Sequence, residues 1–343
     1  MGSSFVTLDY LRLFCLNMRE RSRYKPLKYF AVAGLITLVV ILVFSSTIRP
    51  SLLKKTPAPK ELYGVISPST YKFLLNQPEL CEKKSPFLVL MIPVTLKDTE
   101  ARTAIRRTWG QDGLISLVTI LHLFVIGQPA QSDPVLQEHL ERESKEYGDI
   151  IQMDFVDSYH NLTIKTMMIM NWIATYCQGA WYAMKIDADI FLNVRYLVDY
   201  LHDQSKSSRK DYITGSVISD AVPHRDSFNK WYISEDLYPD SWYPPYVSGA
   251  AYVFSTDLAR KISWASRFVR PIPLEDVYVG LCLHVLGVKP VYATTFLGFR
   301  NLFEVRKLKY ERCTFAKRII VNGFNPQKLL HIWHDFQKSY FTC

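Results

Sequence analysis

The sequence predicts an α/β protein: a mostly parallel sheet flanked by helices, set behind an N-terminal membrane helix. Three observations carry that expectation. Short apolar runs alternate with segments of helical spacing through the first half of the body. One run leads into Met184-Lys-Ile-Asp-Ala-Asp-Ile-Phe-Leu192, where two carboxylates interrupt apolar residues as a charged turn would. Tyr29 to Ile48 carries no charge, long enough for a helix to span a bilayer core.

The chain has 343 residues and a net charge of +9. The basic residues are dispersed apart from those flanking the apolar segment, which argues against a nucleic-acid module. Arg12, Arg19, Arg21, Arg23, Lys25 and Lys28 precede that segment, and Arg49, Lys54 and Lys55 follow it. The larger cluster lies upstream, so the positive-inside tendency places residues 1–28 in the cytosol and the bulk of the chain in a lumen or outside. The late start and length of residues 29–48 favour an uncleaved signal anchor over a cleaved signal peptide. Residues 49–84, broken by Pro50, Pro57, Pro59, Pro68 and Pro78, read as a stem. Tyr71 and Phe73 are candidates for docking on the body, which is expected over 85–343.

Within the body, Phe87 to Ile92 is apolar and ends at Pro93, the pattern of a buried strand. Asp98 to Trp109 has helical spacing, with Asp98 or Thr99 as the cap. Leu121 to Ile126 forms a second strand that ends at Gly127. Pro134 to Tyr147 reads as an exposed helix, Asp149 to Asp154 as a third strand, and Asn161 to Tyr176 as a helix. Trp181 to Ile186 is the strand that feeds the acidic turn. After it, Phe191 to Leu201 fits a helix, and Tyr212–Thr214 and Tyr252–Phe254 fit strands. Tyr238 to Tyr246 is dense in proline and aromatic residues, which suggests a rigid loop. Leu274 to Leu286 reads as an acidic loop opening a helix.

Asp187 and Asp189 share a face on an extended strand and converge on a turn, where two carboxylates near a cation can hold a diphosphate. Two solvated acids on a polar turn are the plain alternative. Ligands of such sheets bind beyond the carboxyl ends of strands, which is where this turn falls. Arg102, Arg106 and Trp109 recur at helical spacing with Arg107 beside them. Arginine suits phosphate and tryptophan can pack a base, while ion pairing and core packing explain them equally well. Lys165 has the same two readings. Glu275 and Asp276 either cap the following helix or act chemically. Trp242, Tyr243, Tyr246 and Gly249 suit either a sugar site or the core. Five of the six cysteines (Cys81, Cys177, Cys282, Cys313 and Cys343) lie beyond the span, where disulfides are permitted. Their odd number leaves at least one without an intrachain partner. Asn161-Leu-Thr163 is an N-glycosylation sequon.

Several blocks together give a resemblance: Ala104-Ile-Arg-Arg-Thr-Trp-Gly110, Tyr147-Gly-Asp-Ile-Ile-Gln152, Asp154 through Lys165, Asp187-Ala-Asp-Ile-Phe191, Tyr243-Pro-Pro-Tyr-Val-Ser-Gly249 and Leu274 through Cys282. In that order and spacing, the sequence resembles the β-1,3-galactosyltransferase and β-1,3-N-acetylglucosaminyltransferase family, type II Golgi membrane enzymes with a GT-A fold. Asn229-Lys-Trp-Tyr and Asp236 through Ser241 are most similar to the galactosyltransferase branch.

The resemblance implies that Asp189, helped by Asp187, holds a manganese ion against the phosphates of UDP-galactose. It implies Asp276 as the general base, with Glu275 shaping acceptor binding or orienting that base. The implied product is a β-1,3 linkage to a terminal GlcNAc or GalNAc of a glycoprotein or glycolipid. The alternative is transfer from UDP-GlcNAc to a terminal galactose; an inactive lectin-like or chaperone relative is a third class. Val247 stands where many galactosyltransferase relatives have cysteine, Ala250-Ala251 where they have Thr-Gly, and Asn322 near a common histidine position. Oligomeric state stays open, homo-oligomers included.

Overall fold

The computed structural model describes residues 71–203, 210–294, 301–305 and 307–338. The expected span at 29–48, the tail before it and most of the stem lie outside the described residues. Among the described residues no helix is long and apolar enough to cross a membrane.

A large sheet forms the centre. β1 (Phe73–Leu75), β2 (Leu88–Pro93), β3 (Ile120–Gln128), β4 (Ile150–Val156), β5 (Tyr182–Ile186), β7 (Ile213–Ile218), β8 (Tyr246–Ser255) and β9 (Val291–Tyr292) lie in the order β1-β4-β3-β2-β5-β8-β7-β9. From β4 to β5 all neighbours are parallel. β8 then runs antiparallel to both β5 and β7. A small second sheet, β10-β11-β6, joins Phe303–Glu304, Ile320–Asn322 and Ile190–Leu192.

Helices cover both faces. Val89 and Met91 share a core with α4 (Leu162–Tyr176), α6 (Thr256–Ala265) and α7 (Glu275–Leu286). Leu88, Leu90 and Ile92 face the other core, with α2 (Thr99–Arg106), α3 (Pro134–Tyr147), α5 (Val194–His202) and α9 (Pro326–Lys338). Burial on both faces is why these strands read as continuous apolar runs rather than alternating ones. The expected α/β sheet flanked by helices is therefore present.

Local differences have local causes. The helix expected to reach Trp109 stops at Arg106, and the chain turns so that Gly110 N–H donates to Ile105 O. A Cβ on Gly110 would lie 2.9 Å from that same oxygen. Asp98 accepts from Thr95 N–H at 2.7 Å instead of capping the helix with its side chain. The helix expected from Phe191 begins only at Val194, with Asn193 accepting from Tyr196 N–H. Residues 190–192 form β6 because β11, from the far end of the sequence, pairs with them. Local spacing carries no trace of so distant a partner.

The folded body also starts earlier than residue 85. β1 pairs antiparallel with β4, and Trp172 Nε1 donates to Asn76 Oδ1 at 2.8 Å. A disulfide joins Cys81, in the short helix α1 (Leu80–Lys84), to Cys177 at the end of α4. Cys313, in α8 (Arg312–Ala316), is also disulfide-bonded. Cys282 is buried and free.

Candidate active site

The acidic turn lies at the carboxyl end of β5. Asp187 N–H donates to Ala250 O at 2.9 Å, which anchors the turn to β8. On its other side, Asp189 O accepts from the N–H groups of Gly323 and Phe324, both at 2.9 Å. The turn is thus held between the two sheets, and Ala188 sits between two acids whose backbone is fixed. Asp189 is exposed, and its carboxyl is raised above the usual range, first by lost solvation and then by the charge of Asp187.

Glu275 and Asp276 open α7 where β8 passes it. Gly249 N–H donates to Asp276 Oδ2 at 3.0 Å, and Val277 N–H donates to Oδ1 at 2.9 Å. Burial raises the Asp276 carboxyl, and these backbone bonds oppose the rise. Glu275 is buried; Thr166 Oγ1 and Tyr252 OH both donate to its Oε2 at 3.3 Å. Burial pushes its carboxyl up to about 7, against the pull of Lys185. Both acids lie in the first turn of α7, whose N-cap residue, Leu274, makes no side-chain capping bond.

Lys185 joins the two acidic pairs. Its ammonium lies 2.6 Å from Asp187 Oδ1 and 3.1 Å from Glu275 Oε1, and it donates to Gly249 O. Sequence reasoning passed over it. The signal was a lysine inside Ala183-Met-Lys-Ile186, a run otherwise fit for burial on both faces. Burial alone would lower its pKa, and the two carboxylates more than reverse this. Thr166 and Tyr252 were also missed, and nothing local marked them.

Tyr243 and Tyr246 lie beside this pair, and burial first, with the Asp276 charge among the other causes, pushes both phenols up to about 12. Tyr246 packs on α7 so closely that a Cβ on Gly280 would meet its Cβ at 2.5 Å. Tyr243 OH is buried with no hydrogen-bond partner. Trp242 is exposed, and its carbonyl accepts from Tyr238 OH. Gly249 leaves no room for a side chain: a Cβ there would lie 2.6 Å from Glu275 Oε1.

Arg102 and Arg106 are engaged by other partners. Arg102 is buried and spends all five N–H groups, on Glu143, Thr99 and the carbonyls of Thr95 and Leu96. It straps the loop after β2 and has no donor left for a phosphate. Arg106 pairs with Asp149 and Glu143 and lies over the Tyr147 ring at 4.0 Å. Arg107 is exposed at the end of α2. Trp109 is buried and donates to Ile190 O at 2.9 Å, so its ring packs beneath β6 instead of facing a base. Lys165 is buried and bonded to Val94 O and Asp157 Oδ2, tying together the carboxyl ends of β2 and β4. Ion pairing and packing therefore explain Arg102, Arg106, Trp109 and Lys165. Asn161, in the sequon, donates to Val156 O, while Thr163 is buried and donates to Ile272 O.

A galactosyltransferase family model matches residues 100–294, which hold the acidic turn, Gly249 and the Glu275-Asp276 pair. Beta-1,3-galactosyltransferase 1 of Mus musculus is 45% identical over 280 residues, covering 81% of this chain and 82% of that protein. The Homo sapiens protein of the same name gives the same figures. Beta-1,3-galactosyltransferase 2 of Mus musculus is 41% identical over 278 residues, covering 80% of this chain and 65% of that one. The chain belongs to the galactosyltransferase family. As a member of this enzyme family it presents, in one site, an acidic turn and a second carboxylate pair bridged by Lys185.

Among the described residues no three His, Cys, Asp or Glu side chains are grouped to hold a metal ion. The turn offers the two carboxylates of Asp187 and Asp189 instead. Asn322 Oδ1 is buried without a partner, on β11 opposite Ile190, the residue after Asp189. Carboxylates are hard oxygen donors of the kind that suits manganese or magnesium.

Proposed function

We propose that this family member is an inverting β-1,3-galactosyltransferase of GT-A type. It transfers galactose from UDP-galactose to the 3-hydroxyl of a terminal GlcNAc or GalNAc on a glycoprotein or glycolipid. The observation that carries the reading is the Gly249–Asp276 hydrogen bond, which fixes a carboxylate one lysine away from the acidic turn. Identity with the beta-1,3-galactosyltransferases supports the donor and linkage.

Asp276 takes the proton of the acceptor hydroxyl on a carboxylate lone pair that its two backbone hydrogen bonds leave free. That hydroxyl oxygen attacks C1 of galactose from the face opposite the diphosphate. The C1–O bond to the diphosphate breaks, and UDP leaves with the electron pair. One displacement turns the α-linked donor into a β-linked product. Asp187 and Asp189 would hold a divalent ion, which when bound neutralises charge on the departing diphosphate. Tyr243 and Tyr246 wall the acceptor side, and Trp242 offers an exposed ring to sugar C–H groups. The signal anchor expected at residues 29–48 places this body in the Golgi lumen as a single-pass type II protein.

The test is a donor-by-acceptor assay of the luminal body with linkage analysis of the product. Galactose transferred β-1,3 to GlcNAc or GalNAc is the expected result. Transfer from UDP-GlcNAc alone would move the protein to the N-acetylglucosaminyltransferase reading, which Ala250-Ala251 resembles.

A further inference from the structure

Lys185 occupies a position where an ion is costly. It lies within β5 at 3% exposure, between the fully buried Met184 and Ile186. Its ammonium carries three donors and no acceptor, and three oxygens meet it: Asp187 Oδ1, Glu275 Oε1 and Gly249 O. Stability alone does not call for such a cluster, because buried ion pairs are commonly replaceable by apolar side chains without loss.

The three oxygens belong to different working parts. Asp187 lies on the turn that faces the donor. Gly249 supplies the N–H that holds Asp276, and its own carbonyl takes the lysine. Glu275 is the chain neighbour of Asp276, and its Oε1 lies where a Gly249 side chain would stand. A single buried nitrogen is thus bonded to the donor turn, to the glycine whose N–H orients Asp276, and to the residue before that aspartate.

We propose that Lys185 is a positioning residue for transfer: it sets the separation of the acidic turn from Asp276, acting on Asp276 through the backbone of Gly249. This rests on Asp276 being the base. Charge neutralisation of Asp187 and Glu275 is the rival role, and the two part company in one set of variants.

The test compares Lys185→Met, Glu275→Gln, the double variant and Asp276→Asn in the full-length protein. Melting temperature, kcat, both KM values and calorimetric affinity for UDP with Mn2+ are measured for each. Lys185→Met leaves two carboxylates facing each other, so it loses stability and about 100-fold or more in kcat. Adding Glu275→Gln removes that repulsion, and the melting temperature returns toward that of Glu275→Gln alone. Under the positioning role kcat stays about 100-fold below Glu275→Gln, because Asp187 and Gly249 O still lack their donor. A double variant within about threefold of Glu275→Gln in kcat overturns the role of Lys185. So does a folded Lys185→Met with wild-type kcat and UDP affinity. Full transfer by Asp276→Asn instead overturns the base assignment beneath it.

Discussion

The backbone N–H of Gly249 donates to Oδ2 of Asp276 at 3.0 Å, so the strand beside the acidic turn also aims the carboxylate at the head of α7. That bond needs a residue without a side chain, since a Cβ on Gly249 would meet Glu275 Oε1 at 2.6 Å and Asp276 Oδ2 at 3.3 Å. Gly249→Ala should therefore lower kcat by about 100-fold, as expected when a reacting group is displaced by roughly 1 Å. Steady-state kinetics beside calorimetric UDP binding checks it: kcat falls while UDP affinity holds.

Removing the Asp189 carboxylate tests the other half of the proposed site. Asp189 is exposed, and its side chain does not hold the turn; its backbone carbonyl does, through Gly323 and Phe324. Asp189→Ala should abolish metal-dependent transfer while the melting temperature stays within about 2 °C of the parent, as for surface substitutions generally. Full activity in a folded Asp189→Ala protein would remove the metal role from this residue.

The pH profile should carry an acid limb. Burial raises the Asp276 carboxyl, so the unprotonated base is lost at a pH above that expected for a solvated aspartate. Activity rises with pH through that value. A rate–pH profile at saturating donor checks the sign: an activity increasing toward acid pH would contradict a carboxylate base.

Acid stability has a separate source. Burial alone would raise the carboxyls of Glu143 and Asp149, but Arg102 and Arg106 around Glu143, and Arg106 and His122 around Asp149, hold both below the usual range. Their folded values lie below their unfolded ones. The stabilisation is full above the ordinary glutamate value of 4.5 and disappears as pH falls through the depressed values. Glu143→Gln removes the counter-charge of the buried Arg102, while Arg106 keeps Asp149, and should cost about 3–5 kcal/mol at neutral pH. Urea midpoints measured from pH 7 down to about 3 should fall less steeply in that variant than in the parent.

Much of this was legible before any coordinate. α3 runs from Pro134 to Tyr147 as its spacing predicts, and β5 ends where Asp187 begins. Lys185 bonds both Asp187 and Glu275, so the acidic turn and the Glu275-Asp276 pair, two of the motif blocks, adjoin. The illegible parts are those that depend on distant partners. β6 exists because β11 pairs with it, and Arg102 turned away from any phosphate because Glu143, from the next helix, claims it. Lys185 was visible as a charge in an apolar strand, but its meaning needed Gly249 and Glu275, both far along the chain.

The Cys81–Cys177 bridge bears on how this protein can be cut and secreted. A truncation at residue 85, the natural choice from the stem's prolines, would strip β1 from the rim of the sheet and orphan a thiol at the end of α4. In an oxidising secretory compartment that thiol invites mixed disulfides, and the bared rim of β4 invites a foreign strand. A chain that begins ahead of Tyr71 keeps its own staple and its own selvedge.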